Sequence, residues 1–469
     1  MTLSIFETAR AHADAIALIA DDEAWSYAAL AERVARLGGS LATRGLLGDA
    51  PVGLVARPTL ASIELFHALL AYQVPVLLLH PALPPAARSE LASRAGVRAV
   101  LAPDEERLPL AAPLPPPLAP ALDSRPLAIV PTSGSSGAPK LVVLSHGAFA
   151  ASARASAANL PLGPGDRWLL CLPPSHVGGL SIVTRCLLSG SAVVLFDARE
   201  QGLQARLPDL AACSERHAVS VISLVPALLD AWLSALPLWR PSVALRALLV
   251  GGAALPPALF DRARGRGFPL LTTYGLTEAC SQVTTSRPGE SAKLSGGVVS
   301  SGLALAGVEV RVDSTSRIFV RSKSLCSGYL GADTPIDAEG WLRTEDRGFL
   351  DERGELFVLG RIGELIITGG ENVDPQRVEA ALRAAPHVLA AAVFGAPDER
   401  FGSVVACALV VSPEFDAERV SAHLRQQLSR FELPRRLALV SALPSLANGK
   451  LDRSALARLP LTTFAQPRS

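Results

Sequence analysis

A surplus of either charge is missing from this sequence: 44 lysines and arginines stand against 43 aspartates and glutamates, a net of +1. That balance argues against a nucleic-acid partner or an acidic membrane surface and leaves small molecules as the expected partners. Cysteine pairing is missing too. The six cysteines, Cys171, Cys186, Cys213, Cys280, Cys326 and Cys407, form no CxxC pair and no zinc spacing; they are expected to be reduced residues of the core, in a cytoplasmic protein. No apolar run suits a membrane span. The longest uncharged stretch, Leu65 to Ala87, is broken by Pro75, Pro81, Pro84 and Pro85 and carries two histidines, so it reads as helix, buried strand and turn. Met1 to Arg10 lacks the basic and apolar regions of a signal peptide, and export is not expected. The Walker pattern of phosphate binding is absent as well: the one lysine that follows a Ser/Gly loop, Lys140, is succeeded by Leu141 and a strand rather than by Ser or Thr and a helix.

The chain is organised around that loop. Thr132-Ser133-Gly134-Ser135-Ser136-Gly137-Ala138-Pro139-Lys140 lies between the apolar runs Leu127–Val130 and Leu141–Leu144, which predicts two short strands joined by a polar turn. Hydroxyls and bare backbone N–H groups can together accept a phosphate, with Lys140 as a nearby cation. A flexible linker is the bland alternative, but linkers seldom sit between two buried strands or end in Pro-Lys.

At 469 residues and 49% hydrophobic, the chain is expected to hold roughly two to four domains or subdomains. From about Trp25 to Leu101, helical periods such as Tyr27–Leu37 alternate with short apolar runs such as Pro51–Val55 and Val74–Leu79, the pattern of an α/β layered sheet. Leu108 to Pro126 is too rich in proline for a helix or an inner strand. Ser145 is placed to cap a helix starting at His146. The strand Leu245–Val250 runs into Gly251-Gly252-Ala253, where a flat group could lie on bare backbone, although a structural turn fits nearly as well. In Thr272-Thr273-Tyr274-Gly275-Leu276-Thr277-Glu278, a ring, hydroxyls and a carboxylate surround a glycine. That suits a nucleotide with magnesium, Glu278 being the candidate oxygen ligand; a helix start is the competing reading.

From Val308 the pattern turns to short strands, predicting a β-rich subdomain or small barrel. Asp346 could accept from a ribose diol, and a turn aspartate is the plainer alternative. A boundary is expected at Arg361, giving an N-terminal domain of 1–361 and a C-terminal domain of 362–469. The latter shows its own strand at Leu365–Thr368, a helix opened by Asp374-Pro375, and an Asn448-Gly449 turn presenting Lys450.

Six of these stretches occur in the order of the acyl-adenylate-forming superfamily of acyl-CoA synthetases, luciferases and peptide-synthetase adenylation domains, which the chain resembles over nearly its whole length: Thr132 to Lys140, Tyr274 to Glu278, Asp346, Arg361, Gly369-Gly370-Glu371 and Asn448-Gly449-Lys450. Leu172 to Ser181 and Tyr274 to Gln282 resemble, more narrowly, the o-succinylbenzoate-CoA ligases of menaquinone biosynthesis. The resemblance implies an α/β fold with layered subdomains and a small β-barrel-like subdomain, followed by a small mobile α+β domain. It implies that a carboxylate attacks the α-phosphate of ATP to give an acyl-AMP, and that the thiol of coenzyme A then displaces AMP.

By the same resemblance, Lys450 supplies charge to carboxylate and phosphate, Thr277 a hydroxyl to the α-phosphate, and Glu278 a ligand to Mg2+. Thr132, Ser133, Gly134, Ser135, Ser136, Gly137 and Lys140 hold pyrophosphate; Asp346 and Arg361 fix the ribose; Gly251, Gly252 and Ala253 with Tyr274 sandwich the adenine, and Gly275 is a further nucleotide-binding residue. His176 lines the acid site or admits pantetheine, and Gly369 and Gly370 form the thiol channel after the small domain rotates. Three residues depart from the family pattern: Glu345 stands where glycine is common, Gly363 where Asp or Lys is common, and Ser175 where a large aromatic precedes the histidine. An aryl-acid ligase of the benzoate or anthranilate type, transfer to a separate carrier protein, and an inactive nucleotide-binding homologue are the alternatives.

Overall fold

Apolar runs of four residues are too short for stable helices and become fully buried strands. In the computed structural model, which describes residues 3–132, 139–198, 201–295, 297–362, 365–368, 371–398, 401–445 and 451–464, Val52–Val55 and Val76–Leu79 pair in parallel, each buried along its whole length. They belong to a six-stranded sheet in the order Gly328–Tyr329, Lys140–Ser145, Pro126–Thr132, Val76–Leu79, Val52–Val55, Val100–Leu101. A nine-stranded sheet runs Leu303–Ala304, Ser281–Thr285, Leu270–Leu276, Ala247–Val250, Val221–Leu224, Arg167–Leu170, Ala192–Leu195, Ile16–Ala20, Glu23–Ser26. Its middle strands are parallel and its ends antiparallel.

One apolar core joins the two sheets through the helices between them. It includes Leu54, Leu78 and Val142 from the first, Trp168, Leu170 and Leu249 from the second, and Phe66, Phe149 and Leu180 from the helices. Each such side chain contributes about 1.5–3 kcal/mol on leaving water. Local chemistry sets the helix starts: Ser26 accepts from the N–H of Ala29 and opens Tyr27–Thr43, and Ser145 accepts from Ala148 and opens His146–Asn159. Of the stretch Leu108 to Pro126, residues 108–125 form no helix or strand, as the prolines require, while Pro126 differs from expectation as the first residue of the strand Pro126–Thr132, where a proline is tolerated. Beyond Val308, a four-stranded sheet is ordered Val308–Val312, Arg317–Ser322, Leu342–Leu350, Leu356–Arg361.

The chain divides into two compact units, 1–313 with 318–344 and 350–357, and 314–317 with 345–349 and 358–469. The second has its own core, in which Val393, Val405 and Leu409 pack against Val378 and Leu382 of the helix Pro375–Arg383 and Val420 and Leu424 of Ala417–Gln427. Asp374 caps the first of these helices by accepting from the N–H of Gln376 at 2.9 Å. All six cysteines are free, and five are buried. No described helix is long and apolar enough to cross a membrane.

Candidate functional site

The runs that flank the Ser/Gly stretch pair with each other. Pro126–Thr132 and Lys140–Ser145 are antiparallel, with Thr132 opposite Lys140 at the mouth; Ser133, Gly134, Ser135, Ser136 and Gly137 lie outside the described residues. The exposed ammonium of Lys140 stands 4.8 Å from the ring centroid of Tyr329. The hydroxyl of that tyrosine donates to Oε1 of Glu278 at 2.9 Å. The hairpin's lysine and the candidate metal ligand are therefore brought to one tyrosine, which the sequence analysis did not single out: Tyr329 is distant in the chain from both.

Glu278 belongs to a short 3-10 turn, Thr277–Ala279, at the carboxyl end of Leu270–Leu276. Thr277 and Glu278 are half-buried there and Tyr274 is buried. The chain then doubles back as Ser281–Thr285, with Cys280 at φ 54° and Ser281 at φ 91°. Two consecutive non-glycine residues in the left-handed region cost on the order of 1–3 kcal/mol each, and such strain concentrates at functional sites. Gly275 makes the reversal possible: a Cβ there would lie 1.7 Å from the carbonyl oxygen of Ser281. Ser152 pins the turn by donating its hydroxyl to the carbonyl of Cys280 at 2.7 Å.

Gly251 follows the neighbouring parallel strand Ala247–Val250, and a Cβ on it would come within 2.6 Å of Thr273. Gly252 follows at φ 80° and, with Ala253, is exposed. Strand-end backbone is thus left open on the strand beside the one that carries Tyr274.

Asp346 and Arg361 meet: Nε of the arginine donates to Oδ1 of the aspartate at 3.1 Å, with Asp346 buried and Arg361 more than half exposed. The Glu345 departure is accounted for here. Along Leu342–Leu350, Thr344 and Asp346 are buried while Arg343 and Glu345 are exposed. Glu345 therefore points to the opposite face, where it pairs with Arg317 at 3.2 Å.

His176 occupies the N-cap position of the helix Val177–Ser189 without making a side-chain cap bond. Its ring lies 5.5 Å from that of His80, tilted by 43°. His80 follows the strand Val76–Leu79, accepts at Nδ1 from the N–H of Ala82 at 3.1 Å, and has its pKa lowered by burial and by Arg57 and Arg88. Ser175, where the family pattern has an aromatic, is buried with its hydroxyl unpartnered. On the same helix Arg185 is buried, its guanidinium 5.6 Å from the Trp168 ring, and neither Nε nor Nη2 has a hydrogen-bond partner. Burial lowers its pKa to about 10, against the pull of Cys280 and Cys186, so it is a cation at neutral pH. Arg246, by contrast, is committed to both oxygens of Asp166 at 2.9 Å.

Lys450, Asn448, Gly449, Gly363, Gly369 and Gly370 lie outside the described residues. Among those described, no cluster of three or more His, Cys, Asp or Glu side chains could hold a metal. A cation at Glu278 would draw its remaining oxygens from phosphate and water, and one carboxylate with phosphate oxygens is a donor set that magnesium uses. The residues present fit Mg2+ bound together with a nucleotide.

Comparison with known proteins identifies the family. The model of the AMP-binding enzyme family matches residues 5–330, and that of the AMP-binding enzyme C-terminal domain matches residues 377–450. The chain is 33% identical to a 2-succinylbenzoate–CoA ligase of Bacillus pumilus over 94% of each chain. It is similar to the o-succinylbenzoate CoA synthetase of Bacillus subtilis in complex with its acyl-adenylate intermediate, with a TM-score of 0.87, 27% identity and coverage of 98% of this chain and 99% of that one. The same enzyme in complex with ATP and a magnesium ion gives a TM-score of 0.86 at 28% identity, over 97% of this chain and 99% of that one.

Proposed function

Because the chain belongs to the AMP-binding enzyme family, we propose that it joins 2-succinylbenzoate to coenzyme A by way of an acyl-AMP. A carboxylate oxygen of the acid attacks the α-phosphorus of ATP and pyrophosphate leaves. The thiol sulfur of coenzyme A then attacks the acyl carbon, and AMP leaves with the pair of electrons that had bound it. Likeness to 2-succinylbenzoate ligases over almost the whole of both chains carries the choice of acid.

Two anions must meet in the first step, so the site's task is to neutralise and align them. We assign Thr132, Ser133, Gly134, Ser135, Ser136, Gly137 and Lys140 to the β- and γ-phosphates, Thr277 to the α-phosphate, and Asp346 with Arg361 to the ribose. Tyr274, Gly275 and Gly251 to Ala253 receive the adenine. Glu278 would hold magnesium, which supplies charge to the phosphates. Lys450, in a mobile part made of residues 362–469, would bridge carboxylate and α-phosphate. Gly369 and Gly370 would border the path of the thiol once that part has turned, and His176 would line the entry for acid and pantetheine. Arg185 gives the choice of acid a physical basis: a desolvated cation with two unpartnered nitrogens suits the second carboxylate, which benzoate and anthranilate lack.

The test is to supply Mg-ATP and coenzyme A with 2-succinylbenzoate, benzoate or anthranilate and to follow AMP and thioester. Thioester from 2-succinylbenzoate alone is expected; thioester only from the simple aryl acids would reassign the substrate. A carrier protein that outcompeted coenzyme A for the acyl group would reassign the acceptor.

A further inference from the structure

The hairpin that ends in Lys140 and the turn that carries Glu278 belong to different sheets. ATP chemistry needs the two at a set separation, because the cation and the metal ligand act on the same triphosphate. Each could drift with its own sheet unless something ties them.

The segment Cys326 to Leu330 touches both. On one side, Gly328–Tyr329 pairs antiparallel with Lys140–Ser145, Tyr329 opposite Val142. The N–H groups of Ser327 and Leu330 donate to the carbonyls of Val143 and Leu141 at 2.9 and 2.8 Å. On the other side, the N–H of Cys326 donates to the carbonyl of Glu278 at 2.7 Å. The side chain of Tyr329 completes the tie: its hydroxyl donates to Oε1 of Glu278 at 2.9 Å, and its ring stands 4.8 Å from the Lys140 ammonium. A phenol is suited to both contacts at once, since its O–H is a donor to an anion while its face attracts a cation. With Oε1 engaged, the carboxylate has a fixed rotation and Oε2 is the oxygen left for a metal.

We propose that Tyr329 is a positioning residue that fixes the carboxylate of Glu278 and the ammonium of Lys140 relative to each other, so that the metal and phosphate contacts of ATP are aligned before it binds. This rests on the reading of Glu278 as the magnesium ligand and of Lys140 as a phosphate contact.

Y329F keeps the ring and loses the hydroxyl; Y329L loses both. The readouts are calorimetric binding of ATP to the intact chain, with Mg2+ and with EDTA, and the melting temperature. For Y329F we expect affinity for Mg-ATP to fall about tenfold or more, metal-free ATP to bind as before, and the melting temperature to hold. Y329L should weaken metal-free ATP as well, because Lys140 is no longer held. Equal losses for Y329F with and without Mg2+, or no loss in either, would overturn the proposal, and so would metal-free binding to Y329L that matched the parent. E278Q separates the two claims. If it leaves the magnesium-dependent gain intact, the reading of Glu278 falls; if it abolishes that gain and Y329F does not, the role of Tyr329 falls alone.

Discussion

A buried arginine with donors to spare is costly to a fold, and Arg185 keeps both Nε and Nη2 unpartnered at 5% exposure. On the proposed function, an anion arriving with the substrate would offset that cost. R185L should therefore raise KM for 2-succinylbenzoate about 10- to 100-fold, the worth of a charge-assisted pair of hydrogen bonds. KM for ATP should hold and the melting temperature should be equal or higher, because an apolar side chain fills the space without an unsatisfied charge; steady-state kinetics with each substrate varied in turn checks this. Sequence alone could not separate Arg185 from Arg246, because the distinction lies in Asp166, which takes up the second and not the first. Tyr329 was hidden for the same reason: its partners are far away in the chain. Glu345 stood in the sequence only as a departure from the family pattern, and the strand's alternation is what turns it away from Asp346.

Among the elements, the turn after Tyr274 is the most constrained. Gly275 faces the Ser281 carbonyl with no room for a methyl group, and the left-handed Cys280 and Ser281 follow from the same reversal. G275A is expected to destabilise the chain by about 3 kcal/mol or more, seen as a lower urea midpoint at unchanged slope, and to remove ATP binding in the fraction that stays folded. A midpoint matching the parent would mean that the turn has another conformation open to it. Elements governed by short-range chemistry were readable in advance. Ser145 and Asp374 cap the helices that follow them, and the runs flanking the Ser/Gly stretch pair as a hairpin. The order of nine strands was not readable, because parallel neighbours are chosen by the packing of intervening helices rather than by anything in the strands themselves.

For the molecule as a whole, buried histidines set an acid limit. Burial lowers His67 and His146 from 6.5 to about 4, with Arg125 adding to the effect on His146. In the unfolded chain both take up protons near pH 6.5, whereas in the folded chain they stay neutral until about pH 4. The unfolded state thus binds more protons between these values, and stability falls as pH falls through that window, by roughly 1–2 kcal/mol per histidine at about pH 5. Melting temperatures should be flat above about pH 7 and drop toward pH 5, and H67L should remove part of the slope; a melting temperature that rose on acidification would contradict this. The division into two compact units fits a reaction in two steps with two nucleophiles. The first step can be isolated by leaving out coenzyme A and following exchange of labelled pyrophosphate into ATP. Exchange that requires both 2-succinylbenzoate and Mg2+ is expected, with no ADP formed. Exchange indifferent to the acid, or release of ADP and phosphate in place of AMP and pyrophosphate, would contradict adenylation of the acid at this site.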